Sequence, residues 1–349
     1  MKILILTQTV DQTDPGLGFF HAWLSEFSKR FDSITVICLR KGKADLPKNV
    51  SVHSLGKESK ESRLRYLFNF YRHILRERKN YDVVFVHMNT EYVILGSLIW
   101  ALLRKPVILW YNHASGGIRL SLAALLVCRV LHTSPFAASA RFRKSVRMPA
   151  GIDTTIFAPG SLNRKSRSLL FIGRIAPIKG VDVLIDAGNM LHDAAIPFTL
   201  DIYGDATLED ADYSDRLRKD ADILEKAGEA TFHKGALNTE TPAIYAVHEL
   251  FINLSPSGLF DKTVLEAMST GAIVLASSRA FEEILPSECL FREGDSADLK
   301  TKIEGALAMP LSHRQELQKR FRDYVVERHS LSHLSLRLET LCKNLASFL

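Results

Sequence analysis

Short apolar runs of strand length alternate with stretches of helical periodicity along the whole chain, and this alternation restricts the fold more than any other feature. In the first half the runs are Lys2 to Leu6, Ser33 to Leu39, Val83 to His87 and Val107 to Tyr111. In the second they are Leu169 to Ile172, Thr199 to Tyr203, Leu250 to Leu254 and Ala272 to Ala276. Strands apolar at nearly every position are buried on both faces, as happens where helices cover a parallel sheet. The pattern restarts after Met148 to Asn163, a stretch rich in turn formers that reads as a hinge. With 349 residues the chain is about twice an ordinary domain. Two α/β domains are therefore expected, over residues 1–150 and 160–328, with a terminal helix over 329–349 that packs back on the first.

Nothing in the chain reads as a membrane span or a staple. The run Met1 to Leu6 is too short for a signal peptide and fits a first strand. Val93 to Leu103 falls short of the ~20 residues a spanning helix needs and is expected to be a buried helix. Cys38, Cys128, Cys289 and Cys342 are scattered, which gives neither a disulfide framework nor a zinc site and points to the cytosol.

Two segments carry chemistry. In the first, Ser255, Pro256, Ser257 and Gly258 end a strand, and Val264, Leu265 and Met268 give the next helix an apolar face before Gly271 stops it. The first amides of that helix, from about Lys262 to Leu265, lack intrahelical partners and carry roughly half a positive charge, which suits a diphosphate. Glu266, a turn further in, can accept hydrogen bonds from vicinal hydroxyls such as those of a ribose. In the second segment, Leu169 to Gly180, a buried strand runs into Gly173 and brings Arg174 and Lys179 out at its carboxyl end, where open α/β sheets bind ligands. A guanidinium and an ammonium at one spot are what a leaving diphosphate needs as its charge grows.

The sequences Gly-Arg-x-x-x-x-Lys-Gly from Gly173 to Gly180 and Leu-Glu-Ala-Met-x-x-Gly from Leu265 to Gly271 resemble two signatures of the family 4, or group 1, glycosyltransferases. Met148 to Pro159, Ile202-Tyr203-Gly204-Asp205 and Tyr81 to His87 match further in the family's order. The resemblance implies the GT-B fold, two Rossmann-like domains with parallel sheets facing a central cleft. It also implies that Arg174 and Lys179 bind the donor diphosphate and that Glu266 binds the ribose. The backbone of Phe260, Asp261, Lys262, Thr263, Val264 and Leu265 would cradle sugar and phosphate, with Gly173, Gly204 and Gly258 in the same donor site. Many members carry a Glu where this chain has Gly258, and a glycine where it has Asp261. Asp261 could supply the missing carboxylate to sugar hydroxyls or cap the helix that starts at Lys262, and Lys262 could add charge near phosphate.

In the first domain, the glycines of Asp14-Pro15-Gly16-Leu17-Gly18 could let the backbone approach the diphosphate. As a dinucleotide fingerprint the loop is a weak match, because His21 stands at the third glycine position. His113 ends an apolar strand and aligns with a cleft histidine of the family, which implies a substrate contact; His87 reads as structural. Asp210-x-Asp212 and Asp220-x-Asp222 sit in an acidic helical stretch and read as solvated surface, so neither a catalytic metal nor a cofactor is expected.

The expected activity is transfer of a sugar from a nucleotide diphosphate sugar to a glycan or lipid-linked acceptor. By resemblance it retains anomeric configuration and needs no metal. The rival readings are a GT-B-like binding protein that has lost catalysis at Gly258 and a nicotinamide-dependent oxidoreductase. Residues 1–150 carry a net charge of +13 and the remainder −7, which points to an anionic partner for the first domain alone. In Glu61 to Lys79, Leu64, Leu67, Phe68, Tyr71 and Leu75 form one helical stripe and Arg65, Arg72, Arg76 and Lys79 another. The apolar stripe is expected to face the core and the basic one to meet anionic lipid at the inner face of the cell membrane, in cell-envelope polysaccharide assembly. No nucleic-acid motif accompanies the charge, so nucleic acid is not an expected partner.

Overall fold

The computed structural model describes residues 1–14, 16–160 and 164–347. Pro15 of the glycine loop, residues 161–163 of the stretch read as a hinge and residues 348–349 of the expected terminal helix lie outside them. The chain divides into two compact units, Met1–Gly151 with Ser330–Leu349, and Ile152–His329.

The first unit runs β1 (Lys2–Val10), α1 (Phe19–Phe27), β2 (Ser33–Lys41), β3 (Val50–Ser54), α2 (Arg63–Arg76), β4 (Val83–His87), α3 (Thr90–Leu102), β5 (Val107–Trp110), α4 (Ile118–Leu126), β6 (Arg129–His132) and β7 (Ser145–Arg147). Its seven strands are all parallel, in the order β3-β2-β1-β4-β5-β6-β7. Phe70, Ile74, Trp100 and Leu120 from α2, α3 and α4 fill one face of that sheet. Phe20, Trp23, Leu24 and Phe27 of α1 fill the other. Trp23 also donates its indole N–H to the Gly151 carbonyl at 2.9 Å, which fixes the exit of the chain.

The second unit runs β8 (Lys165–Ile172), α5 (Val181–Asp193), β9 (Thr199–Tyr203), α6 (Ala211–Asp220), α7 (Asp222–Lys226), β10 (Ala230–His233), α8 (Thr241–Val247), β11 (His248–Asn253), α9 (Lys262–Thr270), β12 (Ile273–Ala276), α10 (Ser296–Leu307) and α11 (Leu311–His329). Its five parallel strands lie in the order β10-β9-β8-β11-β12. Afterwards α12 (Leu331–Ala346) returns to the first unit, where Leu331, Leu334, Leu338 and Cys342 join the core around α1.

Several expectations need correction. The sequence reading omitted β3, β6, β7 and β10, which are short or lie toward a sheet edge and carry too few apolar residues to announce themselves. The stripe of α2 read as core-facing is on the outside: Leu64 is 80 % exposed and Phe68 56 %. The helix instead buries Asn69, Phe70, His73 and Ile74. This half-polar stripe can be buried because β3 and its exit supply partners. Asn69 donates to the Leu55 carbonyl at 2.9 Å, and His73 stacks on His53 at 4.9 Å. Likewise α3 buries Tyr92, Val93, Gly96 and Trp100 but leaves Leu98 and Leu102 in solvent, so the helix expected to be buried is buried on one side alone.

Candidate active site

The loops that leave β8 and β11 hold the two motif segments. These strands are neighbours in the second sheet, and the chain moves from β8 outward to β9 on one side and from β11 outward to β12 on the other. Their carboxyl ends therefore flank the topological switch point, the position at which open parallel sheets leave a crevice for ligands.

After β8 the chain passes Gly173 and Arg174 and makes a short turn, Pro177–Lys179, before Gly180 starts α5. A Cβ on Gly204 would come within 2.0 Å of the Gly173 carbonyl oxygen, so the turns after β8 and β9 pack backbone against backbone. Arg174 is exposed and forms no hydrogen bond or ion pair with another described residue. Lys179 points into the second loop, where its Nζ lies 2.6 Å from the Asp261 carboxylate and 3.0 Å from Ser255 Oγ. The structure thus brings Lys179, Asp261 and Ser255 together.

Asp261 occupies the N-cap position of α9 but makes no capping bond with its side chain, contrary to the capping role considered from the sequence. Its carboxylate is committed elsewhere: it accepts from Lys179, from Asn253 at 3.1 Å and from the Ser255 hydroxyl. Burial works to raise its pKa, yet Lys179, Ser255 and Asn253 together outweigh this and hold it below the ordinary carboxylate value. All three bonds fall on its Oδ2.

The rest of α9 is set by packing. Val264, Leu265, Ala267 and Met268 are fully buried, so Val264 and Leu265 can offer only backbone to a ligand, and Phe260 stacks inward on Phe281 at 4.9 Å. Arg164 donates to the Thr270 carbonyl, and Arg322 donates to that of Ser269 at 2.9 Å. Two guanidinium groups thus cap the carbonyl end of the helix, while Gly271 closes it in the left-handed region at φ 81°. At the other end, α9 begins just after the loop that leaves the carboxyl end of β11, with its first-turn amides lacking intrahelical partners, and the Thr263 hydroxyl is buried without a hydrogen-bond partner among the described residues.

Glu266 is buried one turn in, 3.3 Å from the Tyr245 hydroxyl. Burial raises its pKa to about 7, against the opposing pull of the Lys262 charge and the Tyr245 hydroxyl. Burial likewise draws Lys262 well below its ordinary value, with Glu266 resisting. Lys262 is thus an electrostatic partner of Glu266, four residues on, rather than a solvated surface charge.

Gly258 has φ 92°, a conformation that side-chain-bearing residues rarely adopt, and its amide bonds Ser278 Oγ at 3.2 Å. Its difference from the family's Glu is therefore one of backbone as well as of side chain. In the first unit, the loop after β1 also sits at a switch point, between β1 and β4. There the amides of Gly16 and Gly18 are both taken by Asp14, at 3.0 Å to its carboxylate and 2.8 Å to its carbonyl. His113 is exposed in the loop after β5, its ring 5.5 Å from that of Tyr111. His87 is buried among Phe19, Phe20 and Trp23.

Ser255 and Asn253 join the site as partners of Lys179 and Asp261, and no motif spacing marks them in that role. Among the described residues no group of three or more His, Cys, Asp or Glu could hold a metal ion, and no helix is long and apolar enough to cross a membrane.

Residues 166–309 match the family model described as Glycosyl transferases group 1, and residues 13–139 match Glycosyl transferase 4-like. The chain is 32 % identical over 108 residues to the UDP-N-acetylglucosamine–peptide N-acetylglucosaminyltransferase GtfA subunit of Streptococcus gordonii, a stretch covering 31 % of this chain and 20 % of that protein. The crystal structure of Anabaena HepE in complex with UDP superposes with a TM-score of 0.77 at 17 % identity, covering 99 % of this chain and 100 % of that one. Sucrose-phosphate synthase from Thermosynechococcus elongatus gives 0.77 at 16 % identity, with all of both chains covered. The chain belongs to the group 1 glycosyltransferases and has their GT-B fold of two parallel-sheet α/β domains.

Proposed function

We propose that the protein transfers a sugar from a UDP- or GDP-sugar to a glycan or lipid-linked acceptor, with retention of configuration and without a metal, in cell-envelope polysaccharide assembly. The observation that carries the reading is the convergence of Lys179 and the N-terminus of α9 at the switch point of the second sheet, with Glu266 one turn inside. Arg174 and Lys179 hold the diphosphate as charge grows on its leaving oxygen, and the first-turn amides of α9 add fixed positive dipoles there. Glu266 accepts from the ribose hydroxyls. Residues 160–328 serve as the donor domain and residues 1–150 as the acceptor side, where His113 contacts substrate.

The HepE structures with UDP and with UDP-glucose support a nucleotide-sugar donor. A panel of UDP- and GDP-sugars tests the reading through slow donor hydrolysis and, with a glycan acceptor, through transfer. Release of no nucleotide from any donor, together with no binding of either nucleoside diphosphate by calorimetry, refutes it. A second reading, a nucleotide-sugar binding protein without catalysis, draws on the Asp261 carboxylate that already occupies Lys179. It requires donor binding with neither hydrolysis nor transfer.

A further inference from the structure

Of the twenty large apolar side chains exposed among the described residues, eleven lie on α2, α3 and α4. The most exposed of these are Ile118 at 88 %, Leu64 at 80 %, Leu125 at 78 %, Leu102 at 77 % and Leu98 at 71 %. The three helices share one core cluster on one face of the first sheet, so their outer sides form a single layer. A folded monomer seldom leaves apolar surface so concentrated unless something covers it.

The charge on this layer is basic apart from Glu91, which pairs with Arg119 at 3.0 Å. No acidic residue occurs from Tyr92 to Ile152, which spans most of α3, all of α4 and the strands β5, β6 and β7. On α2, Arg65 and Arg72 flank the exposed Phe68 ring, their guanidinium carbons 5.5 and 5.9 Å from its centroid. At the other end, a pocket of about 540 Å³ opens between the end of α4 and the turn before β7. Leu125, Ala124 and Phe142 form its apolar wall, Arg129, Arg143 and Lys144 supply its charge, and it has no carboxylate. The Lys144 ammonium is fixed by the Val127 carbonyl at 2.6 Å and the Leu125 carbonyl at 3.3 Å, whereas Arg143 is exposed.

Protein interfaces are depleted of charge at their apolar centre; here cations accompany the exposed apolar side chains on α2 and at the pocket beside the end of α4. Apolar side chains set among cations match the boundary between acyl chains and anionic headgroups. We propose that the outer face of α2, α3 and α4 lies on an anionic lipid bilayer, and that the pocket formed by Arg129, Arg143 and Lys144 takes a lipid phosphate. In choosing a bilayer as the partner, this rests on the reading that the acceptor is lipid-linked.

The test is cosedimentation of the full chain with vesicles of phosphatidylcholine alone or with 30 % phosphatidylglycerol, with donor hydrolysis measured in parallel. Each basic side chain at an anionic surface is worth about fivefold in partitioning, so Arg129→Gln, Arg143→Gln and Lys144→Gln together should weaken binding to the anionic vesicles about a hundredfold. Leu98→Ser with Leu102→Ser should weaken it further without loss of donor hydrolysis. Equal binding to both vesicle types, or anionic binding that all these variants leave intact, overturns the proposal. So does saturable binding of glycerol phosphate without vesicle binding, which makes the pocket a free-anion site. A stable dimer that Leu98→Ser dissociates would assign the face to a second copy instead. Vesicle binding without sugar transfer would refute the proposed function alone, and transfer to a soluble glycan without vesicle binding would refute this inference alone.

Discussion

Replacing Asp261 with Asn tests whether this carboxylate, which stands where relatives have glycine, works through Lys179. The ammonium has three N–H donors, and Asp261 and Ser255 take two of them, which fixes the direction of the third. Asn keeps an acceptor oxygen of similar size and removes the charge. A hydrogen bond between charged groups contributes about 1.5–3 kcal/mol. Both side chains are 23 % exposed, so screening trims this only modestly and about 2 kcal/mol is expected. If that energy positions Lys179 for the leaving diphosphate, kcat/KM for donor hydrolysis falls roughly 30-fold. The assay is steady-state hydrolysis by four proteins: wild type, Asp261→Asn, Lys179→Met and the double variant. Because Asp261 acts through Lys179, the double variant should match Lys179→Met to within about 0.5 kcal/mol. A double variant another 30-fold slower, the product of the two single losses, would refute the reasoning and give Asp261 a separate role.

Arg174→Ala should slow turnover about a hundredfold while leaving the urea midpoint unchanged, since the exposed guanidinium has no ion-pair partner among the described residues; a shifted midpoint would make Arg174 structural. Burial raises the Glu266 pKa from 4.5 to about 7, so the folded state keeps a proton that the unfolded chain releases. The associated stability is full below pH 4.5 and is lost as pH rises through about 7, so urea midpoints from pH 5 to 8 should show Glu266→Gln gaining on wild type, and a constant difference would contradict the shift. Gly258→Ala should cost about 1–2 kcal/mol by the same measurement because its φ is 92°; no loss would mean the loop readily adopts another conformation.

The more apolar strands of both sheets, the alternation of strand and helix, and the motif residues on the switch-point loops were legible in the sequence, because each depends on neighbours within a few residues. Lys179, Glu266 and the α9 segment were found through spacing along one turn or one helix. What a side chain does once it arrives depends on partners distant in sequence, and there the reading failed in a consistent way. Asp261 has the residue type and position of a helix cap, yet Lys179, 82 residues earlier, takes its carboxylate. A capping bond to a neutral amide is typically worth ~1 kcal/mol, whereas a largely buried bond to an ammonium is worth more, so the distant partner wins. The same competition decided α2. By composition its apolar stripe should face inward, but β3 and its exit offer Asn69 a carbonyl and His73 a ring. Burying Phe70 and Ile74 on that side brings both polar neighbours against these groups, leaving Leu64 and Phe68 outside. A periodicity count gives which residues share a stripe; which stripe is buried is settled by the partners that meet it. The leucines so displaced are therefore the place where the first domain has surface to offer another body.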